Sequence, residues 1–240
     1  MAGLITWHEL FTDDVEAGVR FYTELLGLEI ETYDAGDFQY QMLKKGEHTE
    51  AGFVAKPSET PEGTPNHWYP YIQVDDVNAT IEKAQELGGE AYMGPMDVSE
   101  DLRIAVLGDP QRATFGIMSS PQAQPSTLVN WNELHATDVD AAASFYGGLF
   151  GWMRELFMEG YWALNAGETA AAGLMQERGG SPVAYWLAYF SVDDADAAVA
   201  KAMALGAGVI VPTESMEGVG RFAVLTDPGG AAFGVHQGTS

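Results

Sequence analysis

Hydrophobic and polar positions repeat one local pattern four times along the chain, in segments that start near residues 4, 66, 128 and 184. Each segment opens with a strand-like run, and in the first run Trp7, Glu9 and Phe11 share one face. An aspartate follows, which is a favourable helix N-cap because its carboxylate accepts hydrogen bonds from unpaired backbone N–H groups. Residues at helical spacing come next, and short alternating runs with turn signals complete the segment. The pattern predicts four modules, each with one strand, one helix and three further strands.

The ends of the predicted helices and hairpins carry recognisable residues. Helical spacing places Val77, Ile81 and Ala84 on one face of the second helix. In the first helix the corresponding face carries Ala17, Phe21 and Leu25. Segments 109–112 and 227–230 have the composition of tight hairpin turns between apolar runs. Left-handed C-caps are expected at Gly27, Gly88, Gly151 and Gly206.

The modules are grouped into two homologous halves. Segment 7–28 aligns with 131–152 at an offset of 124, and ten of these 22 positions are identical. Segment 103–116 aligns with 221–234 at an offset of 118, so the second copy is six residues shorter, within about 152–186. Between the halves lies a polar Pro/Ser/Gln segment that cannot build a core. The predicted organisation is therefore a first domain over 1–119, a linker over 120–127 and a second domain over 128–240.

Composition and charge exclude several classes of protein. The chain has 240 residues, 35 Asp and Glu against 11 Lys and Arg, a net charge of −24 and no cysteine. Phosphate backbones and anionic lipids would be repelled, so nucleic-acid and membrane partners are not expected. There is no thiol chemistry and no disulfide framework. The N-terminus lacks the pattern of a signal peptide, which predicts a cytoplasmic protein.

Three recurring motifs carry a family resemblance. They are F-Y-x-x-L-[LF]-G at 21–27 and 145–151, V-D-D-[VA] at 74–77 and 192–195, and D-P-x-x-x-x-F-G at 109–116 and 227–234. In their order and recurrence they resemble the vicinal oxygen chelate superfamily of glyoxalases, bleomycin-resistance proteins and extradiol dioxygenases, and within it a two-domain hydroxylase-like and glyoxalase-like subgroup. The resemblance implies an α+β fold in which four βαβββ modules form two tandem half-barrel domains, each with a ligand cavity on its concave face.

The resemblance also implies one divalent metal per cavity, held by His and Glu on four strands. The corresponding positions here are Trp7, Gly52, Tyr69 and Gly116 in the first half, and Trp131, Gly173, Leu187 and Gly234 in the second. None of these side chains is a usual protein ligand for a metal. We therefore expect no cofactor. The alternative is one divalent metal, such as Fe, Zn, Ni or Mn, held by relocated ligands.

Titratable and aromatic residues on the same predicted faces form the candidate site. A carboxylate beside an imidazole in a partly dry pocket is the minimum equipment for general acid–base chemistry. The second half is the more favourable candidate for chemistry, because the first has Phe11 and Met118 where the second has His135 and His236. For any single residue, a structural role is the alternative. The candidate catalytic residues are Glu133, His135, His236 and Glu9, and the candidate ligand-binding residues are Trp7, Phe11, His67, Tyr69, Trp131, Tyr185 and Tyr189.

Three functional hypotheses follow. The first is a metal-independent protein that binds, and in one version converts, a small aromatic or carbonyl compound. The second is a metal-dependent glyoxalase-like lyase, dioxygenase or hydroxylase with ligands relocated to Glu133, His135 and His236. The third is a scaffold with vestigial cavities. The expected oligomeric state is a monomer or a homodimer, since the intrachain repeat already supplies the pairing of modules.

Overall fold

The computed structural model describes residues 3–34 and 39–239, and it confirms the four predicted modules. Each module runs strand, helix, strand, strand, strand. The first half consists of β1 (Ile5–Thr12), α1 (Val15–Leu26), β2 (Glu29–Asp34), β3 (Gln39–Lys45), β4 (His48–Ala55), β5 (His67–Gln73), α2 (Val77–Glu86), β6 (Glu90–Ser99), β7 (Leu102–Gly108) and β8 (Thr114–Ser119). The second half consists of β9 (Val129–Ala136), α3 (Val139–Phe150), β10 (Met153–Met158), β11 (Tyr161–Ala166), β12 (Thr169–Gln176), β13 (Tyr185–Ser191), α4 (Ala195–Ala204), β14 (Gly208–Met216), β15 (Gly220–Thr226) and β16 (Ala232–Gly238).

The helices begin at the predicted aspartates. The side chain of Asp14 accepts a hydrogen bond of 2.9 Å from the backbone N–H of Ala17, and Asp138 caps α3 in the same way. Asp76 and Asp194 cap α2 and α4. Gly27 ends α1 at φ 68°, a left-handed conformation that glycine adopts without steric cost. The predicted apolar face of α2 is confirmed, because all three of its residues are buried. In α1, Phe21 and Leu25 are buried as predicted, but Ala17 is only half-buried.

The strands form two eight-stranded sheets with the orders β2-β3-β4-β1-β5-β8-β7-β6 and β10-β11-β12-β9-β13-β16-β15-β14. Within each module the first strand pairs in parallel with the last, and the remaining neighbours are antiparallel. This parallel register places a glycine of the last strand opposite a glutamate or a tyrosine of the first. The four pairs are Glu9 with Gly52, Tyr71 with Gly116, Glu133 with Gly173 and Tyr189 with Gly234. None of the helices in the described ranges has the length and hydropathy of a membrane span.

The chain divides into two compact units that do not coincide with its two halves. One unit contains residues 3–6, Tyr69–Pro125 and Trp131–Leu187, and the other contains the described residues of Trp7–Trp68, Ser126–Asn130 and Ala188–Ser240. Each unit has its own hydrophobic core, built from one module of each half. The predicted domain boundaries at 119 and 128 follow the duplication of the sequence, and they stay a prediction.

A buried Trp–Tyr–Asp chain lies in each core. Tyr146 receives a hydrogen bond of 3.2 Å from Trp186 Nε1 and donates one of 3.2 Å to Asp109 Oδ2. The other carboxylate oxygen of Asp109 closes the predicted hairpin turn by accepting from the backbone N–H groups of Gln111 and Ala113. The equivalent chain in the second unit is Trp68, Tyr22 and Asp227. The F-Y and D-P motifs therefore meet in the core, where their role is structural.

Candidate functional site

The site in the second half is built on β9, whose alternation places Trp131, Glu133 and His135 on one face. The indole Nε1 of Trp131 donates a hydrogen bond of 2.7 Å to the hydroxyl of Tyr161 on β11. That hydroxyl donates one of 2.9 Å to Oε1 of Glu133. These two hydrogen bonds thus lead from the indole to the carboxylate of Glu133, whose side chain is 12% exposed.

The first half contains the same arrangement on β1 and β3. Trp7 Nε1 donates a hydrogen bond of 3.1 Å to the hydroxyl of Tyr40, which donates one of 2.5 Å to Oε1 of Glu9. Glu9 is buried, with 7% of its surface exposed. The Trp–Tyr–Glu group is therefore a duplicated feature of the fold, and Tyr40 and Tyr161 are part of it.

A glycine makes room for each of these tyrosines. A Cβ built on Gly173 would lie 2.0 Å from the hydroxyl oxygen of Tyr161, and one built on Gly52 would lie 1.8 Å from that of Tyr40. Since real Cβ contacts do not approach this distance, any side chain at these positions would displace the tyrosine. The two glycines are the positions at which the family resemblance implies the second metal ligand, and a tyrosine ring covers each of them.

An imidazole completes the second-half site. His135 stacks on Tyr185 of β13 with a centroid distance of 4.7 Å and an interplanar angle of 13°. Its Nδ1 lies 3.3 Å from the Tyr185 hydroxyl, and its Nε2 lies 3.3 Å from Oε2 of Glu133. The imidazole therefore lies between a phenol and a carboxylate, with Nδ1 on the phenol side and Nε2 on the carboxylate side.

Burial keeps the phenols of this site protonated. Burial, followed by the charge of Glu133, raises the pKa of Tyr161 far above its usual value. Burial also raises the pKa of Tyr185, with smaller contributions from the charges of Glu177 and Glu133. Because both hydroxyls keep their protons at neutral pH, Tyr161 acts as a hydrogen-bond donor to Glu133 and not as a base.

The first half has a different imidazole and aromatic pair. Phe11 occupies the position of His135 on the opening strand, and its ring centroid lies 5.4 Å from that of His67 on β5 at an angle of 53°. Nδ1 of His67 lies 2.9 Å from the carbonyl oxygen of Pro65. Burial lowers the pKa of His67, the hydrogen bond to Pro65 opposes this effect and the charge of Lys56 adds to it.

Three further candidate residues, His236, Tyr69 and Tyr189, have polar or aromatic neighbours of their own. His236 of β16 contacts Asn130 through Nδ1 at 2.9 Å and the carbonyl oxygen of Val219 through Nε2 at 3.0 Å. It belongs to the other compact unit from Glu133 and His135. Tyr69 and Tyr189 are buried, and their rings have aromatic neighbours in Tyr71 and Phe222 at 5.5 and 6.3 Å. The roles predicted for these residues stay predictions.

Sequence reasoning missed Tyr40 and Tyr161, although a signal was present. The two tyrosines are 121 residues apart, as are Gly52 and Gly173, and each tyrosine precedes its glycine by 12 residues. The offset thus falls from 124 to 121 and then to 118, so the shortening of the second copy occurs in two steps of three residues. Aligning these segments at 121 would have paired both tyrosines with their glycines.

The residues present do not fit the metal site that the family resemblance implies. Indole nitrogens, glycines, a tyrosine and a leucine stand at the eight implied ligand positions. Within residues 3–34 and 39–239, no group of three or more His, Asp or Glu side chains has an arrangement that could hold a metal ion. The side chains of Glu133 and His135 supply two potential ligands together, which is fewer than a stable site requires.

Comparison with known proteins identifies the family. The profile described as the glyoxalase, bleomycin resistance protein and dioxygenase superfamily matches residues 4–117 and 128–235. The chain belongs to this superfamily. It is 36% identical to CFP32 of Mycobacterium tuberculosis, which is named as a proposed glyoxylase. The match covers 97% of this chain and 94% of that protein. It is 32% identical to the anthracycline biosynthesis protein DnrV of Streptomyces peucetius, over 98% of this chain and 93% of that protein.

Solved structures of the superfamily share the fold. The Mn(II)-bound glyoxalase from Novosphingobium aromaticivorans matches with a TM-score of 0.70 and 15% identity, over 98% of this chain and 82% of that chain. The 2,3-dioxygenase LapB from Pseudomonas sp. KL28 matches with a TM-score of 0.69 and 11% identity, over 100% of this chain and 94% of that chain. At these identities the likeness concerns the fold alone. It confirms the α+β class and the tandem arrangement of superfamily domains expected from the sequence.

Proposed function

We propose that the second half of this chain binds a small organic molecule with an aromatic ring and a carbonyl group, without the metal of the family. The observation that carries the proposal is the contact of His135 with both Glu133 and Tyr185, beside the hydrogen-bonded pair of Trp131 and Tyr161. Aromatic side chains supply a flat apolar surface for a planar ligand. The imidazole and the carboxylate supply the few polar groups that orient it.

The exposure of these side chains supports contact with a ligand. Trp131, Tyr161 and Tyr185 are half-buried, and the side chain of His135 is 14% exposed. Phe157 of the neighbouring edge strand is 57% exposed, and its ring centroid lies 6.0 Å from that of Tyr161. A ligand ring that covers the exposed edges of these side chains buries apolar surface of both the ligand and the protein. Each ring pair then contributes about 0.5–1.5 kcal/mol to the binding free energy beyond this burial.

The proton chemistry of the site follows from its hydrogen bonds. Tyr161 fixes one oxygen of Glu133, and the other oxygen faces Nε2 of His135. In the converting version of the function, Nδ1 of His135 removes a proton from the carbon next to the ligand carbonyl, and the electron pair moves to the carbonyl oxygen. The ligand takes the place of the Tyr185 hydroxyl beside Nδ1. The imidazolium, stabilised by Glu133, then returns the proton. Atoms and charge balance without any co-reactant.

Two relatives match this chain over more than nine-tenths of their length, and their names agree with this class of ligand. Glyoxylase refers to carbonyl chemistry, and anthracyclines are polycyclic aromatic compounds with ketone and hydroxyl groups. We infer that this chain also handles a small carbonyl or aromatic compound, in the cytoplasm and as a monomer or a homodimer. The net charge of −24 supports the absence of a nucleic-acid partner.

Thermal shift with a panel of neutral probes tests the binding. The panel contains 2′-hydroxyacetophenone, benzaldehyde, a hydroxyanthraquinone and the hemithioacetal of methylglyoxal. A ligand present at 100 times its Kd adds about 2.7 kcal/mol to the free energy of unfolding, which raises the Tm of a protein of this size by roughly 5–10 °C. Trp131→Ala should remove this shift, whereas Trp7→Ala, the matched change in the first half, should preserve it. A panel without any saturable stabiliser would contradict the proposal.

Deuterium exchange tests the proton transfer separately. In D2O, the methyl group of bound 2′-hydroxyacetophenone should exchange faster than in buffer, and His135→Phe should abolish the acceleration while it keeps an aromatic ring at this position. His48→Phe is the control, since His48 is exposed at the start of β4. Binding without accelerated exchange would refute the converting version. A requirement for added Mn(II), Fe(II), Ni(II) or Zn(II) in either assay would favour the metal-dependent lyase or dioxygenase instead.

A further inference from the structure

Four strands lie at the edges of the two sheets in the described ranges, and β10 differs from the other three. An edge strand presents unpaired N–H and C=O groups, and charges or prolines on it oppose pairing with another chain. β6 contains Pro95 and β14 contains Pro212, and proline has no N–H to donate. β2 has three carboxylates among its six residues, Glu29, Glu31 and Asp34. β10 has no proline, and its one arginine balances its one glutamate.

β10 also carries the most exposed large apolar side chains of the four edge strands. The exposed fractions are 64% for Met153, 64% for Leu156, 57% for Phe157 and 36% for Met158. These residues present roughly 400 Å² of apolar surface together, since a fully exposed large apolar residue presents about 200 Å². An apolar patch of this size on a single chain is typical of an interaction surface.

The corresponding strand of the first half is polar. At the offset of 124, the sequence E-I-E-T-Y-D of β2 aligns with M-R-E-L-F-M of β10. Two copies of β2 would repel each other through their carboxylates, whereas two copies of β10 would bury apolar surface. Since both strands occupy the same place in the module, the module itself does not require an apolar edge. Three polar positions of β2 correspond to apolar positions of β10: Glu29 to Met153, Thr32 to Leu156 and Asp34 to Met158.

We propose that β10 pairs with β10 of a second copy of this chain, antiparallel and about a twofold axis, in a weak homodimer. In such a pair one residue lies opposite its own copy. Among the four central positions of the strand, centring on Arg154 or Glu155 sets two like charges opposite each other, which is destabilising. Centring on Phe157 sets Glu155 opposite Glu159. Centring on Leu156 pairs two apolar side chains and sets no like charges opposite each other.

The size of the interface predicts a weak association. The apolar side chains of both copies and the paired main-chain groups bury about 1,000 Å², which is near the lower limit for a specific interface. The ladder of β10 with β11 shifts its register between Leu156 and Met158, which shortens the regular edge. Each copy also carries a net charge of −24, so the copies repel. We expect a Kd of about 10–100 µM, lower at high salt because salt screens this repulsion.

The homodimer does not depend on the function proposed for the second half. Edge pairing uses the main chain of β10 and leaves the ring of Phe157 beside that of Tyr161, at a centroid distance of 6.0 Å. A carbonyl panel without any stabiliser would therefore refute only the second-half function, and a chain that stays monomeric would refute only the homodimer.

Sedimentation velocity of the full chain up to a concentration of about 500 µM tests the association, at low salt and at about 0.5 M NaCl. We expect a monomer–dimer equilibrium whose Kd falls at least about threefold at the higher salt. A triple variant that gives β10 the residues of β2 should raise the Kd at least about tenfold. Its substitutions are Met153→Glu, Leu156→Thr and Met158→Asp. The control places the same three new residues at exposed apolar positions on α4 and β14: Val209→Glu, Ile210→Thr and Met203→Asp.

The control variant should keep the wild-type Kd. A monomer at every concentration, an association that salt weakens, or equal effects of the two triple variants would overturn the proposal. The substituted side chains of the control are exposed, and circular dichroism checks that both variants fold. The concentration and salt dependence of the unmodified chain decides the question even if a variant folds poorly.

A single introduced thiol tests the register, because the chain has no cysteine of its own. Opposite Cβ atoms of an antiparallel pair lie about 4.5–5.5 Å apart, which is close to the span of a disulfide. Leu156→Cys should therefore form an intermolecular disulfide under mild oxidation at least about ten times faster than Thr32→Cys, the matched change on β2. Met203→Cys on α4 measures the rate of random collision. Equal rates in the three variants would contradict pairing through β10.

Discussion

Replacing Gly173 by alanine tests the idea that a tyrosine occupies the space of a family ligand position. The added Cβ would lie 2.0 Å from the hydroxyl oxygen of Tyr161 and 2.6 Å from Cζ, so the ring must move by more than 1 Å at the contact. That movement breaks the hydrogen bonds of 2.7 Å to Trp131 and 2.9 Å to Glu133. The mutation therefore displaces the tyrosine at the centre of the Trp–Tyr–Glu group without substituting any of its three side chains.

The expected cost follows from the bonds that are lost. A neutral hydrogen bond contributes about 1 kcal/mol and one to a carboxylate about 2 kcal/mol, for a sum of about 3 kcal/mol. Alanine in place of glycine returns about 0.4–1 kcal/mol through the unfolded chain, where this strand conformation suits both residues. We expect Gly173→Ala to lower the free energy of unfolding by about 2 kcal/mol, measured by urea denaturation with tryptophan fluorescence and circular dichroism.

A double-mutant cycle isolates the contact. In a Tyr161→Ala background the clash with the tyrosine is absent and only a contact of 3.2 Å with Cγ of Glu133 remains, so Gly173→Ala should cost less than about 0.5 kcal/mol, with a coupling of about 2 kcal/mol between positions 173 and 161. Gly238→Ala in β16 is the matched control, because a Cβ there meets nothing within 4 Å, and it should cost less than about 0.5 kcal/mol. The reasoning is refuted if Gly173→Ala has the same effect in both backgrounds.

The other predictions concern the first half, the cores and the linker. Gly52→Ala should cost about as much as Gly173→Ala by the same double-mutant cycle with Tyr40, since the corresponding clash is 1.8 Å. Tyr146→Phe should lower the free energy of unfolding by about 2–4 kcal/mol, because it leaves both Asp109 and Trp186 buried without their hydroxyl partner; urea denaturation at neutral pH measures it, and a cost below about 1 kcal/mol would contradict the buried chain. Glu50→Gln should cost about 1–3 kcal/mol at pH 7, because the Glu50 carboxylate accepts hydrogen bonds from Ser126, Thr127 and the backbone of Leu128. Burial raises the pKa of Glu50, but these hydrogen bonds outweigh burial and lower it, so the stabilisation is fully present above the ordinary glutamate range and should disappear as the pH falls through the lowered folded-state pKa. A difference between wild type and Glu50→Gln that grows on acidification would have the wrong sign.

The repeated modules could be predicted from sequence because their signals are local. An aspartate before each helix, an alanine three residues later that donates its N–H, and a left-handed glycine after α1 each act within one turn of chain. The same signals recur in all four modules. Their recurrence predicts the modular fold more specifically than any single pattern does.

The site was harder to predict because its contacts join distant strands. Strand alternation correctly grouped Glu133 with His135, which are neighbours on one face of β9. It could not find Tyr161, whose hydroxyl reaches Glu133 only because Gly173 of the adjacent strand leaves the space open. It also could not assign the core pairing of Tyr22 with Asp227, which are 205 residues apart in the chain.

The motifs that carry the family resemblance and the residues of the candidate site have separate roles. The F-Y and D-P motifs supply Tyr146 and Asp109 to one buried chain, and the same motifs supply Tyr22 and Asp227 to the other. These buried residues join distant segments of this chain and have a structural role. The side chains that vary between the halves, above all His135 and Phe11, lie in the candidate sites, where they contact Tyr185 and His67.

Binding of one ligand to the protein with and without a divalent metal tests the central claim most directly. Protein treated with EDTA and desalted would be titrated calorimetrically with the best carbonyl probe of the thermal-shift panel, and the titration repeated after addition of Mn(II). We expect one Kd within a factor of two under both conditions, and a loss of binding in Trp131→Ala. Binding that appears only with Mn(II), together with stoichiometric metal on the purified protein, would contradict the claim that Trp, Tyr and Gly have replaced the metal ligands of this superfamily.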